Sequence, residues 1–191
     1  MSDYTRVAWT EGMFLRPQHF QQADKHVSSV IRRVIEGTVP DSWGVIELEI
    51  NSELLVTGQF AIDKLSAISA DLCPIQMPGD EYLPEPLIVA KSAYDEIVCL
   101  AIPALKGSGI NLSSKDDELV TRYRVADLSV SDDSLGSQAQ EMIQVAKLHS
   151  RLMLMSDDTS GYVLLPLARI TEVTSEGAIK LDSKYVPPSL Y

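Results

Sequence analysis

The run Val45-Ile46-Glu47-Leu48-Glu49-Ile50 alternates apolar and acidic side chains from Ile46 onward. Successive side chains of an extended strand point to opposite faces, so Ile46, Leu48 and Ile50 share one face and Glu47 and Glu49 the other. Such a strand keeps one side in a core and one in water. Outward from it, the stretches 59–69, 87–92, 96–103, 119–131, 142–155, 161–173 and 178–182 also read as strands, bounded by Gly, Pro, Asp or Ser. Ser175-Glu176-Gly177 reads as a hairpin turn with Gly in the left-handed position. Ala139, Met142, Ile143 and Ala146 also fit a helical period, but strand is preferred from about 142. Residues 74–86 and 106–118, rich in Pro, Gly and Asp, read as weakly structured connections. Many short strands at this spacing predict a mainly β fold, sandwich or barrel.

Upstream the period changes. Phe20, Ala23, Val27, Val30, Ile31 and Val34 recur at threes and fours, which is one face of an amphipathic helix. Pro17 suits its first turn, where the missing N–H is not needed. Gly37, with Pro40 just beyond, predicts its end. Residues 1–16 form an extended, apolar lead-in. The expected organisation is therefore a lead-in and helix packed on the sheet over 1–40, and a β domain over 41–186. Residues 187–191 open a connection, because Pro187-Pro188 cannot continue a strand ladder.

Bulk properties exclude several functions. With 191 residues the chain has room for one large domain or two small ones, and 45% apolar residues suit a globular core. A net charge of −11 repels nucleic acid and anionic membranes, and the densest basic cluster is only Arg32-Arg33. The longest apolar stretch, 97–105, is broken by Pro103 and is far shorter than the roughly 20 residues that span a bilayer. No leader resembling a signal peptide opens the chain. These features predict a soluble, cytoplasmic protein with no direct membrane insertion. Cys73 and Cys99 lie in apolar surroundings and read as buried small hydrophobes, with a disulfide between them left open.

Reacting groups do not cluster in the sequence. His19 and His26 are seven apart, about 10 Å along a helix, too far to converge on one zinc. No nucleophile elbow or phosphate loop occurs. Asp116-Asp117-Glu118, Asp132-Asp133 and Asp157-Asp158 lie between strands, where Asp favours turns. No enzyme, metal or cofactor is expected. A metal-dependent hydrolase using His149 and the Asp pairs is the less favoured alternative. A free-standing receptor- or glycan-binding sandwich is another, although Tyr82, Tyr94, Tyr123 and Tyr162 are scattered.

One cluster does stand out. Trp9, Met13, Phe14, Leu15 and Phe20 fall within twelve residues, in a chain with only three Phe and two Trp. Gly12 is expected to bend this segment and Pro17 to start the helix. Such a segment either packs on the β core or docks a partner, since aromatics anchor interfaces.

The run Val7-Ala8-Trp9-Thr10-Glu11-Gly12-Met13-Phe14-Leu15-Arg16-Pro17-Gln18-His19-Phe20-Gln21-Gln22 resembles the opening of the TssK family of type VI secretion baseplate subunits. The resemblance continues in Trp43-Gly44-Val45, Leu48-Glu49-Ile50, Leu165-Pro166-Leu167-Ala168-Arg169-Ile170, Leu181-Asp182 and Tyr185-Val186-Pro187-Pro188. Segment 71–79 departs from the family's usual turn. The resemblance implies a β-sandwich shoulder like that of phage receptor-binding proteins, in a homotrimer about twice this length with a neck and head to follow. It implies attachment of the shoulder to the TssF–TssG wedge and of the head to the membrane-complex proteins TssL and TssM. It places the protein at the cytoplasmic face of the inner membrane. Trp9, Met13, Phe14, Leu15 and Phe20 are then the expected trimer or wedge contacts.

Overall fold

The computed structural model describes residues 4–39, 41–114, 119–133 and 136–190, and the side chains of all these but 136–139. The chain divides into two compact units, one up to Ser42 and one from Trp43 onward. The first holds a single helix, α1 (Pro17–Thr38). The second runs β1 (Gly44–Ile50), a short helix α2 (Ser52–Val56), β2 (Gln59–Phe60), β3 (Ile62–Ile68), β4 (Pro74–Met77), β5 (Leu87–Ile88) and β6 (Tyr94–Pro103). It continues with β7 (Leu112–Ser113), β8 (Tyr123–Asp132), β9 (Gly136–Leu148), β10 (Arg151–Leu154), β11 (Tyr162–Val173) and β12 (Ile179–Leu181).

The second unit is a β-sandwich. One sheet has the order β1-β3-β4 and the other β10-β6-β11-β12, all antiparallel. Inward residues of the first, such as Val45, Leu65, Ala67, Ile75 and Met77, form one core with Val98, Leu100, Ile102, Leu165 and Ile170 of the second. Burial runs unbroken from Val98 to Pro103, so this central strand is covered on both faces, which explains its continuous apolar sequence. Two smaller ladders complete the unit: β2 with β5, and β7-β8-β9.

The first strand departs from plain alternation. Val45 pairs with Ala67 and Glu47 with Ser66, which leaves Ile46 as the extra residue of a β-bulge. Val45 is therefore buried and Ile46 is 58% exposed, while Leu48 still packs against the core. The expectation that Ile46 shares the inward face fails because a bulge resets the period of two.

Other departures have local causes. The helix runs through Gly37 to Thr38, whose hydroxyl donates back to the Val34 carbonyl at 2.7 Å. Helix α2 was not visible in the pattern; Asn51 caps it by accepting from the Leu54 N–H at 2.9 Å. Strand β4 lies in a stretch read as connection, with Pro74 at its first position, where a ladder tolerates proline. Of 87–92, only Leu87–Ile88 is strand. The stretch 142–155 is two strands, β9 beginning earlier at Gly136 and β10 starting after His149-Ser150. The turn at 175–177 has Gly177 at φ 100°, as expected.

Two long-range ties close the unit. The tail folds back on β1: the Val45 N–H donates to the Pro188 carbonyl at 2.7 Å, and the Leu190 N–H donates to the Val45 carbonyl at 2.9 Å. Proline needs only its carbonyl here, so its missing N–H costs nothing. The second tie is Arg122, 1% exposed, which donates to Asp71 at 2.8 Å and to the Pro103 carbonyl at 3.1 Å. Asp71 also accepts from the Ser69 hydroxyl at 2.5 Å. The segment that departs from the family pattern thus holds a buried cation.

Candidate functional site

The first unit is built from the lead-in and α1. The N-terminus of α1 is closed by His19, whose Nδ1 accepts from the Arg16 N–H at 3.0 Å. This is the returning half of a capping box, with imidazole in place of a carboxylate. Pro17 occupies the first turn, and Gly12 sits in a turn at φ 74°. That bend sends the lead-in back along the helix. Gln22 donates from Nε2 to the Thr5 carbonyl at 2.8 Å, and His26 Nδ1 lies 2.9 Å from the Tyr4 carbonyl. The Trp9 ring sits 6.3 Å from both His19 and Phe20. His19 and His26 therefore share an edge of α1, as their spacing of seven requires, and both serve to hold backbone.

This arrangement spends the polar edge of α1 on the lead-in and leaves its apolar stripe bare. No residue of α1 is buried. Val27, Val30, Ile31 and Val34 are 46–58% exposed and Phe14 is 83% exposed. Trp9, Leu15 and Phe20 are exposed as well, and Met13 is half-buried. Phe20 belongs to both the aromatic cluster and the helical stripe, and the Trp9 ring lies beside it. Val27, Val30, Ile31 and Val34 were absent from the sequence-based contact set. Their helical period was visible, but it reads equally as packing.

The alternative chemistry finds no assembled site among the described residues. Among the described residues, no three His, Cys, Asp or Glu side chains converge as metal ligands would. Asp157 and Asp158 accept from the Leu154 and Ser160 N–H groups at 2.8 and 3.1 Å, which makes them turn residues. Asp116-Asp117-Glu118 lie outside the described residues. Cys73 and Cys99 are both free thiols. Burial raises the Cys73 thiol above its ordinary value and pushes Cys99 up to about 11, so neither is an activated nucleophile. No helix among the described residues is long and apolar enough to cross a membrane.

His149 lies on a groove of about 870 Å³ between segment 82–88 and the facing parts of β8, β9 and β10. Burial lowers its pKa, and Arg124 and Arg151 lower it further. The charged groups that act on this imidazole are the cations Arg124 and Arg151, and neither Asp132-Asp133 nor Asp157-Asp158 lines the groove. The groove is fixed at one edge by Glu81, which accepts from the Leu148 N–H at 2.6 Å. Burial raises the pKa of Glu81 against that hydrogen bond. The Lys147 ammonium donates to the Asp80 carbonyl and lies over the Tyr82 ring.

Comparison with known proteins brings the fold and the lead-in together. A family model described as bacterial type VI secretion (EvfL, ImpJ, VasE) matches residues 19–191. The chain is 33% identical, over its whole length, to the type VI secretion system baseplate component TssK1 of Pseudomonas aeruginosa, and spans 43% of that protein. A crystal structure of TssK superposes on 98% of this chain with a TM-score of 0.88 and 30% identity, again over 43% of its own length. TssK in a TssK-TssF-TssG baseplate subcomplex gives a TM-score of 0.87 at 22% identity over 97% of this chain and 62% of its own, a likeness of fold.

Proposed function

This chain belongs to the TssK (ImpJ, VasE) family of type VI secretion baseplate components, and we propose that it is the shoulder by which such a subunit joins the TssF–TssG wedge. The chain spans less than half of the curated relative it matches, so partners of the whole protein are part of the proposal. In this reading three copies assemble, the shoulder faces the wedge, and a head beyond it reaches TssL and TssM at the inner membrane. The work is adhesion, with no reaction catalysed.

One observation carries it. The first unit exposes Phe14, Leu15 and Phe20 together with Val27, Val30, Ile31 and Val34 of the helical stripe, and no residue of α1 is buried. A helix that is apolar along one stripe must bury it to be stable, and a helix this rich in exposed Val and Ile buries it against a partner. The surface is matched to a greasy groove, as in helix-in-groove recognition.

The test is Phe14→Ala in the full-length protein, read by co-purification with the wedge proteins and by mass in solution. Phe14 is 83% exposed, so the fold is expected to survive. Loss of an aromatic anchor weakens an interface by about 2 kcal/mol or more, roughly 30-fold. Unchanged wedge capture and unchanged mass would remove Phe14 from the contact.

A further inference from the structure

Two imidazoles of α1 hold the lead-in through opposite hydrogen-bond roles. His19 Nδ1 lies 3.0 Å from the Arg16 N–H, a group that only donates, so this nitrogen carries no proton. His26 Nδ1 lies 2.9 Å from the Tyr4 carbonyl, a group that only accepts, so this nitrogen carries one. A further proton therefore affects the two rings differently. Imidazolium donates from both ring nitrogens: His26 keeps its bond to Tyr4, and His19 has no lone pair left for Arg16. Both residues are half-buried, so water reaches them.

The surroundings of His19 do little to offset that loss. It is the third residue of α1, where the free backbone N–H groups and the helix macrodipole disfavour a cation, and the first turn holds no acid. From Tyr4 to Arg16 the titratable and charged groups of the lead-in are Tyr4, Arg6, Glu11 and Arg16, so one carboxylate stands against two cations. On α1 the nearest charges, Asp24 and Lys25, come five and six residues later, which puts them on other faces of the helix. The Trp9 ring, 6.3 Å away and tilted by 44°, favours the charged form, but at the outer limit of cation–π reach. The turn leading into the helix is itself lightly held: the Met13 N–H donates to the Thr10 carbonyl at 3.4 Å.

We propose that His19 is a proton-sensitive clasp: a proton taken up on Nδ1 breaks its bond to Arg16 and frees residues 10–16, while residues 4–8 stay fastened through His26 and Gln22. The fastening that remains is the bond of His26 to the Tyr4 carbonyl and of Gln22 to the Thr5 carbonyl. Phe14 and Leu15 lie in the freed stretch. The clasp thus sets whether they are ordered at the start of α1, and an anchor already ordered binds without an ordering cost. Its consequence for wedge capture rests on the function proposed above. The clasp itself does not, and it is tested without wedge proteins.

The experiment is hydrogen–deuterium exchange, read by mass spectrometry, on the full-length protein. His19→Gln is compared at the same pH, so that the intrinsic pH dependence of exchange cancels. Glutamine accepts a hydrogen bond at this capping position and takes up no proton. At about pH 8 the two proteins are expected to exchange alike. At about pH 5.5, where imidazoles take up a proton, residues 10–16 of the wild type are expected to exchange about fivefold faster than those of His19→Gln, with residues 4–8 matched. Equal rates in the acid sample, or an acid opening that His19→Gln shares, would overturn the clasp. Wedge capture is expected to fall about threefold in acid for the wild type and to hold for His19→Gln. Capture that holds in both while residues 10–16 open would count against Phe14 and Leu15 as the wedge contact and leave the clasp standing.

Discussion

At the scale of single residues, two positions explain motifs that the sequence left as mere strings. Gly44 has φ 140°, and a Cβ there would lie 2.7 Å from the Pro188 carbonyl oxygen. Trp43-Gly44-Val45 and the Pro187-Pro188 end are thus one feature: the glycine lets the tail reach β1. Gly44→Ala is expected to cost about 2–3 kcal/mol, through backbone strain and displacement of the tail. Thermal unfolding should show a Tm lower by about 5–10 °C. Arg122 is the second position. Its guanidinium is buried, and its ionised form is kept by Asp71 and neighbouring groups against the burial that opposes it. Asp71→Ala strands that charge and is expected to cost about 3 kcal/mol in denaturant unfolding. Arg122→Met, which removes the charge itself, should cost clearly less.

Elements were legible where one period governs them from end to end. The stripe Phe20, Ala23, Val27, Val30, Ile31, Val34 defined α1, because a helix repeats every 3.6 residues without regard to what it touches. The central strand at 96–103 and the hairpin turn at Gly177 were legible for the same local reason. The bulge at Ile46 was not, since it exists only in the pairing of two strands. Nor was α2, which is five residues long and rests on the Asn51 cap. Strand β9 starts earlier than its apolar pattern, because hydrogen bonding to β8 extends the ladder into the polar stretch before Met142. The lead-in shows the same limit: its aromatics were visible, but its fastening to His26 and Gln22 came from the bend at Gly12.

At the scale of the whole molecule, charge is unevenly shared. Residues 1–42 hold as many acidic as basic groups, so the entire −11 belongs to residues 43–191. An interface made by the first unit's apolar stripe should therefore be nearly indifferent to salt. Wedge capture is expected to persist from about 0.05 to 0.5 M NaCl, across which the Debye length falls from roughly 14 to 4 Å. Capture that collapses over that range, measured by co-purification, would point to the acidic β unit as the wedge contact.

The sequence by itself determined the class of the fold, the existence and apolar stripe of α1, the central buried strand and the family. Each depends on local periodicity or on an uninterrupted run of residues. Only the tertiary structure decided that the lead-in fastens to the polar edge of α1 and leaves the stripe uncovered within that unit, and that Asp71 and Arg122 meet. These are relations between residues distant in the chain, and no local pattern records which pairs the folded backbone will bring within reach.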